Sequence, residues 1–239
     1  MSLRMRGKEG EKTYMNIYSF SKKGTGQERN RDCCLQMADE NCVVIGLSDG
    51  AGSGQMSDIG AKEVLENVLQ FIMKNMCDMR IEDEDTIRYN IFCEMAFALD
   101  KAVKEHGGKK KDYGATLLAV GVMEDDYLAV HLGDGLIGCE CDSGVGVISH
   151  PANGISRKYT FLTSGDDLYK HIRICKGKID GIKKIFLVSD GVTEQYYDFI
   201  GMNSAFKEHL LYDAYDEIDE ELKDSYDDYS LICLKTENM

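Results

Sequence analysis

Proline is almost absent: Pro151 is the single one in 239 residues. No glycine- or serine-rich linker and no low-complexity tract breaks the composition, so residues 14–236 are read as one domain. Basic residues are also scarce, 28 Lys and Arg against 42 Asp and Glu, a formal net charge of −14. No basic patch is available to neutralise phosphates, which argues against a nucleic-acid partner. No apolar run approaches the ~20 residues of a membrane span. None of the nine cysteines forms a Cys-x-x-Cys pair, so zinc-ligand spacing is missing. With no secretory signal in view, the thiols fit a reduced, cytoplasmic chain. The opening Met1-Ser2-Leu3 resembles an expression-vector scar, and residues 1–13 are set aside as a tag-like, disordered segment.

What is present is a core-forming chain, 43% hydrophobic and 29% charged. Strand patterns run over Met15–Phe20, Cys33–Ala38 and Cys42–Leu47. Helical periodicity follows from Ser57 to about Met76, with Ile59, Val64, Leu65, Val68, Leu69, Ile72 and Met76 on one face. A second helix spans about Asp85 to His106 and stops at Gly107-Gly108. The period then drops to two. Short β-type runs over 115–122, 127–132, 136–140 and 145–149 predict an antiparallel meander. Further strands are expected at Tyr159–Thr163, His171–Cys175 and Lys184–Ser189. Helices are expected near Met202–Leu211 and Ala214–Lys223, and a closing strand at Ser230–Lys235. Strands do not alternate with helices, which disfavours a doubly wound parallel sheet. The order suits an α+β fold of two packed antiparallel sheets with helix pairs outside.

Four aspartate-centred stretches stand out: Asn30-Arg31-Asp32, Ser48-Asp49-Gly50, Ser189-Asp190-Gly191 and Asp227-Asp228-Tyr229-Ser230. The middle two each follow an apolar strand, and the last precedes one. A carboxylate at a strand end beside glycine is exposed on a rigid edge while the chain turns. Several such edges make an oxygen-rich pocket, which suits Mg2+ or Mn2+. Asp-Gly pairs are also common turn formers, so no single motif decides between ligand and turn.

Taken in order, with Gly114-Ala115-Thr116 and Leu132-Gly133-Asp134 between them, these motifs resemble the metal-dependent (type 2C) protein serine/threonine phosphatases in their compact bacterial form. The resemblance runs from about Gly24 to Lys235. It implies a four-layer αββα sandwich. It also implies hydrolysis of phosphoserine and phosphothreonine in proteins by attack of a metal-bridging hydroxide. On that reading Asp49 bridges two ions and Gly50 adds a carbonyl oxygen. Asp190 and Asp227 complete one shell, and Asp32 holds the other ion. Asp134, Asp190 and Glu194 could form a third, looser site. The expected partner is a phosphorylated protein, opposing a cytosolic serine/threonine kinase.

The sequence also departs from the family. Gln27 stands where an arginine usually grips the phosphate, so Arg29 or Arg31 is the candidate for that role. Ser53 replaces a glycine of the Asp-Gly-x-Gly-Gly loop, Gly135 replaces a serine, and Ala51 stands where some relatives carry a histidine. His131 is read as a packing residue. These departures keep two alternatives open: a weak or inactive phosphoprotein-binding module, and a regulator phosphatase of a partner-switching circuit. Substrate choice is expected to lie in Pro151–Lys158, Ser164–Tyr169 or Tyr196–Asp224. The short interval from Ile148 to Lys184 predicts an open, shallow site without a large flap.

Overall fold

A computed structural model describes residues 2–6, 12–152, 160–198 and 200–237. Eleven strands among them form two antiparallel sheets. The first half of the chain gives β1 (Ser2–Arg6), β2 (Lys12–Lys22), β3 (Cys33–Ala38) and β4 (Cys42–Ser48), then β5 (Leu117–Met123) and β6 (Asp126–Leu132). The second gives β7 (Leu136–Cys141), β8 (Gly144–Ser149), β9 (Arg173–Lys178), β10 (Ile182–Val188) and β11 (Tyr229–Glu237). One sheet has the order β1-β2-β11-β10-β7-β8 and the other β3-β4-β5-β6-β9.

Alternation of side chains sorts each central strand between two cores. Along β4, Cys42 and Val44 face the helix side, while Val43, Ile45 and Leu47 face the other sheet. β5 repeats this, with Leu117 and Ala119 on one side and Leu118, Val120 and Val122 on the other. In the second sheet, Ile185 and Leu187 of β10 meet the inter-sheet core, and Phe186 and Val188 turn outward. A strand buried on both faces reads as a continuous apolar run, and β4 is buried at all seven residues.

The helices α1 (Ser57–Met79) and α2 (Glu84–His106) cover the β3–β9 sheet. Asp83 caps α2 by accepting from the Thr86 amide at 2.9 Å. Gly107, at φ +82°, ends it and donates to the Val103 carbonyl. Gly46 lets α1 approach the sheet, since a Cβ there would lie 2.6 Å from Leu65 Cδ1. Three shorter helices, α3 (Asp190–Tyr196), α4 (Ser204–Leu211) and α5 (Tyr215–Leu222), cover the outer face of the other sheet. The four-layer αββα sandwich is therefore present, with three helices rather than a pair on its second face.

Three further differences from the sequence expectation are local. The tag-like opening contributes β1, whose backbone pairs antiparallel with β2 from Ser2↔Asn16 to Arg6↔Lys12. No strand forms over residues 160–163 of the expected Tyr159–Thr163 run, and Tyr159 lies outside the described residues. Leu168–His171 winds into a 3-10 turn, so the strand expected from His171 begins at Arg173. Residues 153–158 of the expected specificity loop Pro151–Lys158 also lie outside the described residues.

Candidate active site

Antiparallel register brings the aspartate stretches to one edge of the sandwich. Cys33 pairs with Ser48, which sets Asp32 beside Asp49. Leu117 pairs with Leu132, which brings Thr116 beside the turn carrying Asp134. In the other sheet Val188 pairs with both Leu231 and Leu136. The end of β10 and the start of β11 thus project Asp190 and Asp227 towards the same cleft.

Hydrogen bonds fix each terminus. Thr116 Oγ1 accepts from the Asp49 amide at 2.9 Å, the Thr116 amide donates to the Asp49 carbonyl, and Ser48 Oγ donates to the Thr116 carbonyl at 2.6 Å. Ser189 and Ser230 exchange a matching pair, Ser230 N to Ser189 Oγ at 2.9 Å and Ser189 N to the Ser230 carbonyl. Asn30 Oδ1 accepts from the Asp32 amide at 3.0 Å, an Asx turn that presents the carboxylate. Gly50 is the residue the backbone needs, because a Cβ would sit 2.7 Å from the Ser57 carbonyl group.

The result is a cavity of about 470 Å³ lined by Asp49, Asp134, Asp190 and Asp227, with Gln27, Arg31 and Thr116 among its other walls. Carboxylate oxygens of Asp49, Asp134 and Asp190 lie within 4.8 Å of one another. Like charges this close, out of water, resist ionisation. Burial and the Asp190 charge push Asp32 up to about 7. Burial, then Asp32 and Asp134, push Asp49 well above the carboxylate range, and burial with Asp49, Asp134 and Asp227 does the same to Asp190. Asp134 is raised by burial, although the Thr160 hydroxyl donates to it.

Two details test whether divalent ions fit. Both oxygens of Asp32 are sealed from solvent and lack a hydrogen-bond partner of normal geometry. A buried carboxylate left in that state is costly unless a cation completes it. The donor set is also all oxygen, as hard divalent ions require. These residues fit Mg2+ or Mn2+.

The expected residues do not all converge. Asp32, Asp49, Gly50, Asp134, Asp190 and Asp227 do. Arg31 lines the cavity, while Arg29 turns to the start of α1, where it pairs with Asp58 at 2.9 Å and donates to the Gln55 carbonyl. Glu194 is exposed on α3 and lies outside the cavity lining, although its charge reaches Asp134. Asp228 anchors the backbone instead. Its two oxygens accept from the Gly24 and Arg31 amides, each at 2.8 Å, and it is 3% exposed. Asp228→Ala should therefore cost about 2–4 kcal/mol, two charge-assisted bonds with their donors left buried; urea unfolding checks this.

Buried His131 is part of the support. Its Nε2 lies 3.0 Å from the Gly133 carbonyl, and its Nδ1 lies 2.9 Å from an Arg173 nitrogen. Burial and the Arg173 charge hold its pKa well below the usual value. A neutral ring with its proton on Nε2 satisfies both contacts and pins the turn that carries Asp134. Thr160, whose hydroxyl donates to Asp134, sits in a segment that no motif marks.

The profile of the family described as protein phosphatase 2C matches residues 22–225. The chain belongs to that family. Among curated protein sequences nothing matches it. Solved structures share its fold. A variant of a bacterial serine phosphatase is 17% identical with a TM-score of 0.74, covering 94% of this chain and 99% of the other. The serine/threonine phosphatase Stp1 from Staphylococcus aureus is 16% identical with a TM-score of 0.72, covering 94% and 96%. The catalytic domain of the serine threonine protein phosphatase PstP, in complex with two manganese ions, is 15% identical with a TM-score of 0.69, covering 95% and 100%.

Within the phosphatase 2C framework the departures now have positions. Gln27 and Ser53 both line the cavity, so neither substitution is remote. Ala51 also lines it, and no histidine does among the described residues. Asp228 serves as a backbone anchor. Among the described residues of this phosphatase 2C chain, no helix is long and apolar enough to cross a membrane.

Proposed function

We propose that residues 14–236 act as one domain that hydrolyses phosphoserine and phosphothreonine in proteins, using two Mn2+ or Mg2+ ions, in the cytoplasm and opposite a serine/threonine kinase. The observation that carries this is the grouping of Asp49, Asp190 and Asp227 around one cavity, with Asp32 beside Asp49 and Asp190 and both its oxygens buried without a hydrogen bond of normal geometry. Asp49, at the centre, would touch both ions, with Asp190 and Asp227 on one and Asp32 on the other. The Gly50 carbonyl would add a neutral oxygen, and Asp134 with Asp190 would hold a third ion. When bound, such ions supply a nucleophilic water at neutral pH and offset charge on the phosphoryl oxygens.

The chain's own residues do the rest. The four strand ends hold the carboxylates rigidly, so little reorganisation is needed as charge develops. The cavity walls offer Arg31 as a cation for the substrate's phosphate. With Ala51 beside the cluster and no histidine among the described lining residues, water would supply the proton to the leaving serine oxygen. The inactive-module reading draws on Gln27 and Ser53. It is weakened by Arg31, which restores a cation to the cavity.

Turnover of phosphoserine and phosphothreonine peptides, with Mn2+, with Mg2+ and after EDTA, tests the proposal. The expected result is hydrolysis that EDTA abolishes and added metal restores. Metal binding without hydrolysis of any phosphopeptide would overturn it and leave a phosphoprotein-binding module.

A further inference from the structure

We propose that Gln27 is a positioning residue that aims the Arg31 guanidinium into the cavity and locks it to the carboxylate cluster through Asp227. The inference rests on the phosphatase function proposed for this cavity and deepens it, by assigning how this chain recognises a phosphate dianion.

The charge balance of the cavity sets the problem. Its described walls carry Asp49, Asp134, Asp190, Asp227 and Asp228, and Arg31 is the one cation among them. Arg29, two residues earlier, is spent on Asp58. A phosphate monoester approaching these walls meets repulsion that, among the described residues, Arg31 can help bound metal to offset.

Gln27 links the two. Its Oε1 accepts from an Arg31 terminal nitrogen at 2.5 Å, and its Nε2 donates to Asp227 Oδ1 at 2.7 Å. One amide thus presents its acceptor to the guanidinium and its donor to the carboxylate. A carboxylate at this position could not donate, an apolar residue could do neither, and an arginine would set two guanidiniums side by side. The contacts on Arg31 leave its Nε–H buried without a partner. Arg31 itself lines the cavity, and a guanidinium there is the group suited to a phosphate.

The backbone is equally constrained. Arg31 N and Gly24 N both donate to Asp228, and Lys23 Nζ donates to the Gln27 carbonyl at 2.6 Å. The loop from Gly24 to Arg31 is therefore held at both ends, and the Gln27 side chain sets where the guanidinium points.

The test is a double-mutant cycle on Gln27→Met and Arg31→Met, at saturating Mg2+ so that any change in metal affinity drops out. The probe is inorganic phosphate, its Kd read by calorimetry, beside KM and kcat for a phosphoserine peptide. Each single variant should raise the phosphate Kd and the peptide KM about tenfold, the loss expected for one charge-assisted contact. The double variant should be no worse than Arg31→Met, because Gln27 acts only through Arg31. An unchanged Kd in Gln27→Met, or losses that multiply in the double variant, would overturn the inference. If the wild type binds phosphate in this pattern yet turns nothing over, the phosphatase reading fails and the recognition device stands. Should Gln27→Met not fold, Gln27→Glu takes its place in the cycle. Its carboxylate would pair with Arg31 and cancel the charge, so Kd should rise at least tenfold beside Arg31 and far less beside Arg31→Met.

Discussion

Asp190→Asn is expected to lower metal-dependent turnover by on the order of a thousandfold and to raise the melting temperature of the metal-free protein at neutral pH. The two effects share one cause. Asp190 lies in a buried cluster with Asp49 and Asp134, and the charges of Asp49, Asp134 and Asp227 all act against its ionisation. Metal converts that repulsion into attraction, so removing one charge weakens the site when ions are present. Without metal, the same removal relieves repulsion and the cost of holding a buried carboxylate. An isosteric amide keeps the side-chain volume, so packing beside Ser189 and Gly191 is preserved. Phosphopeptide turnover with Mn2+ and thermal melts in EDTA check the pair. Retained activity would remove Asp190 from the proposed ligand set. A lower metal-free melting temperature would mean that the residue serves packing and not charge.

The strand ends that carry this cluster were legible because apolar alternation and an adjacent Asp-Gly mark them directly. Cys42–Leu47 and Lys184–Val188 are buried on both faces, and such runs have few readings other than central strands. The two long helices were equally plain, since period, cap and terminal glycine agree. Tyr159–Thr163 misled for a specific reason. Its composition is β-like, yet the Thr160 hydroxyl donates to Asp134 and Thr163 Oγ1 accepts from the Ala115 amide at 3.2 Å. Those residues are held by the site and not by a ladder. The short helix α3 is similar: its first residue, Asp190, also closes the turn after β10.

Within the site, what could not be read depends on partners distant in sequence. Arg29 and Arg31 flank the same asparagine and are locally indistinguishable. Asp58 on α1 captures one, and Gln27 holds the other over the cavity. Asp227 and Asp228 are adjacent carboxylates, and only the fold shows that Asp228 is consumed by two backbone amides while Asp227 lines the cavity. Glu194 follows Asp190 by four residues, the helical spacing that suggests a shared ion. Its exposure and its absence from the cavity lining leave it at most an outer electrostatic influence on Asp134. Motif order locates the elements, and tertiary contacts decide which neighbour of a motif does the work.

The same cluster sets how the metal-free protein responds to pH. Asp32 is held at about 7, and Asp49 and Asp190 are pushed well above the carboxylate range. In the unfolded chain these groups titrate near 3.8. Between that value and their folded values the native state binds more protons, so stability falls as pH rises. His131 acts oppositely below 6.5, because burial holds it neutral in the fold while the unfolded imidazole still takes a proton. Above 6.5 that opposition ends, and the carboxylates alone set the slope. Each carboxyl still titrating contributes about 1.4 kcal/mol per pH unit, and a chain of this size moves about 2–4 °C per kcal/mol. In EDTA the melting temperature should therefore fall as pH rises above 6.5, by about 3–6 °C per pH unit for each carboxyl still protonated. Saturating Mn2+ should restore the loss, because ionised ligands are what the ions bind. Asp32→Asn should flatten the lower part of the slope. A flat EDTA profile from pH 6.5 to 8 in the wild type would show that the carboxylates ionise freely without metal, and that they are not the repulsive cluster on which the proposed two-ion site depends.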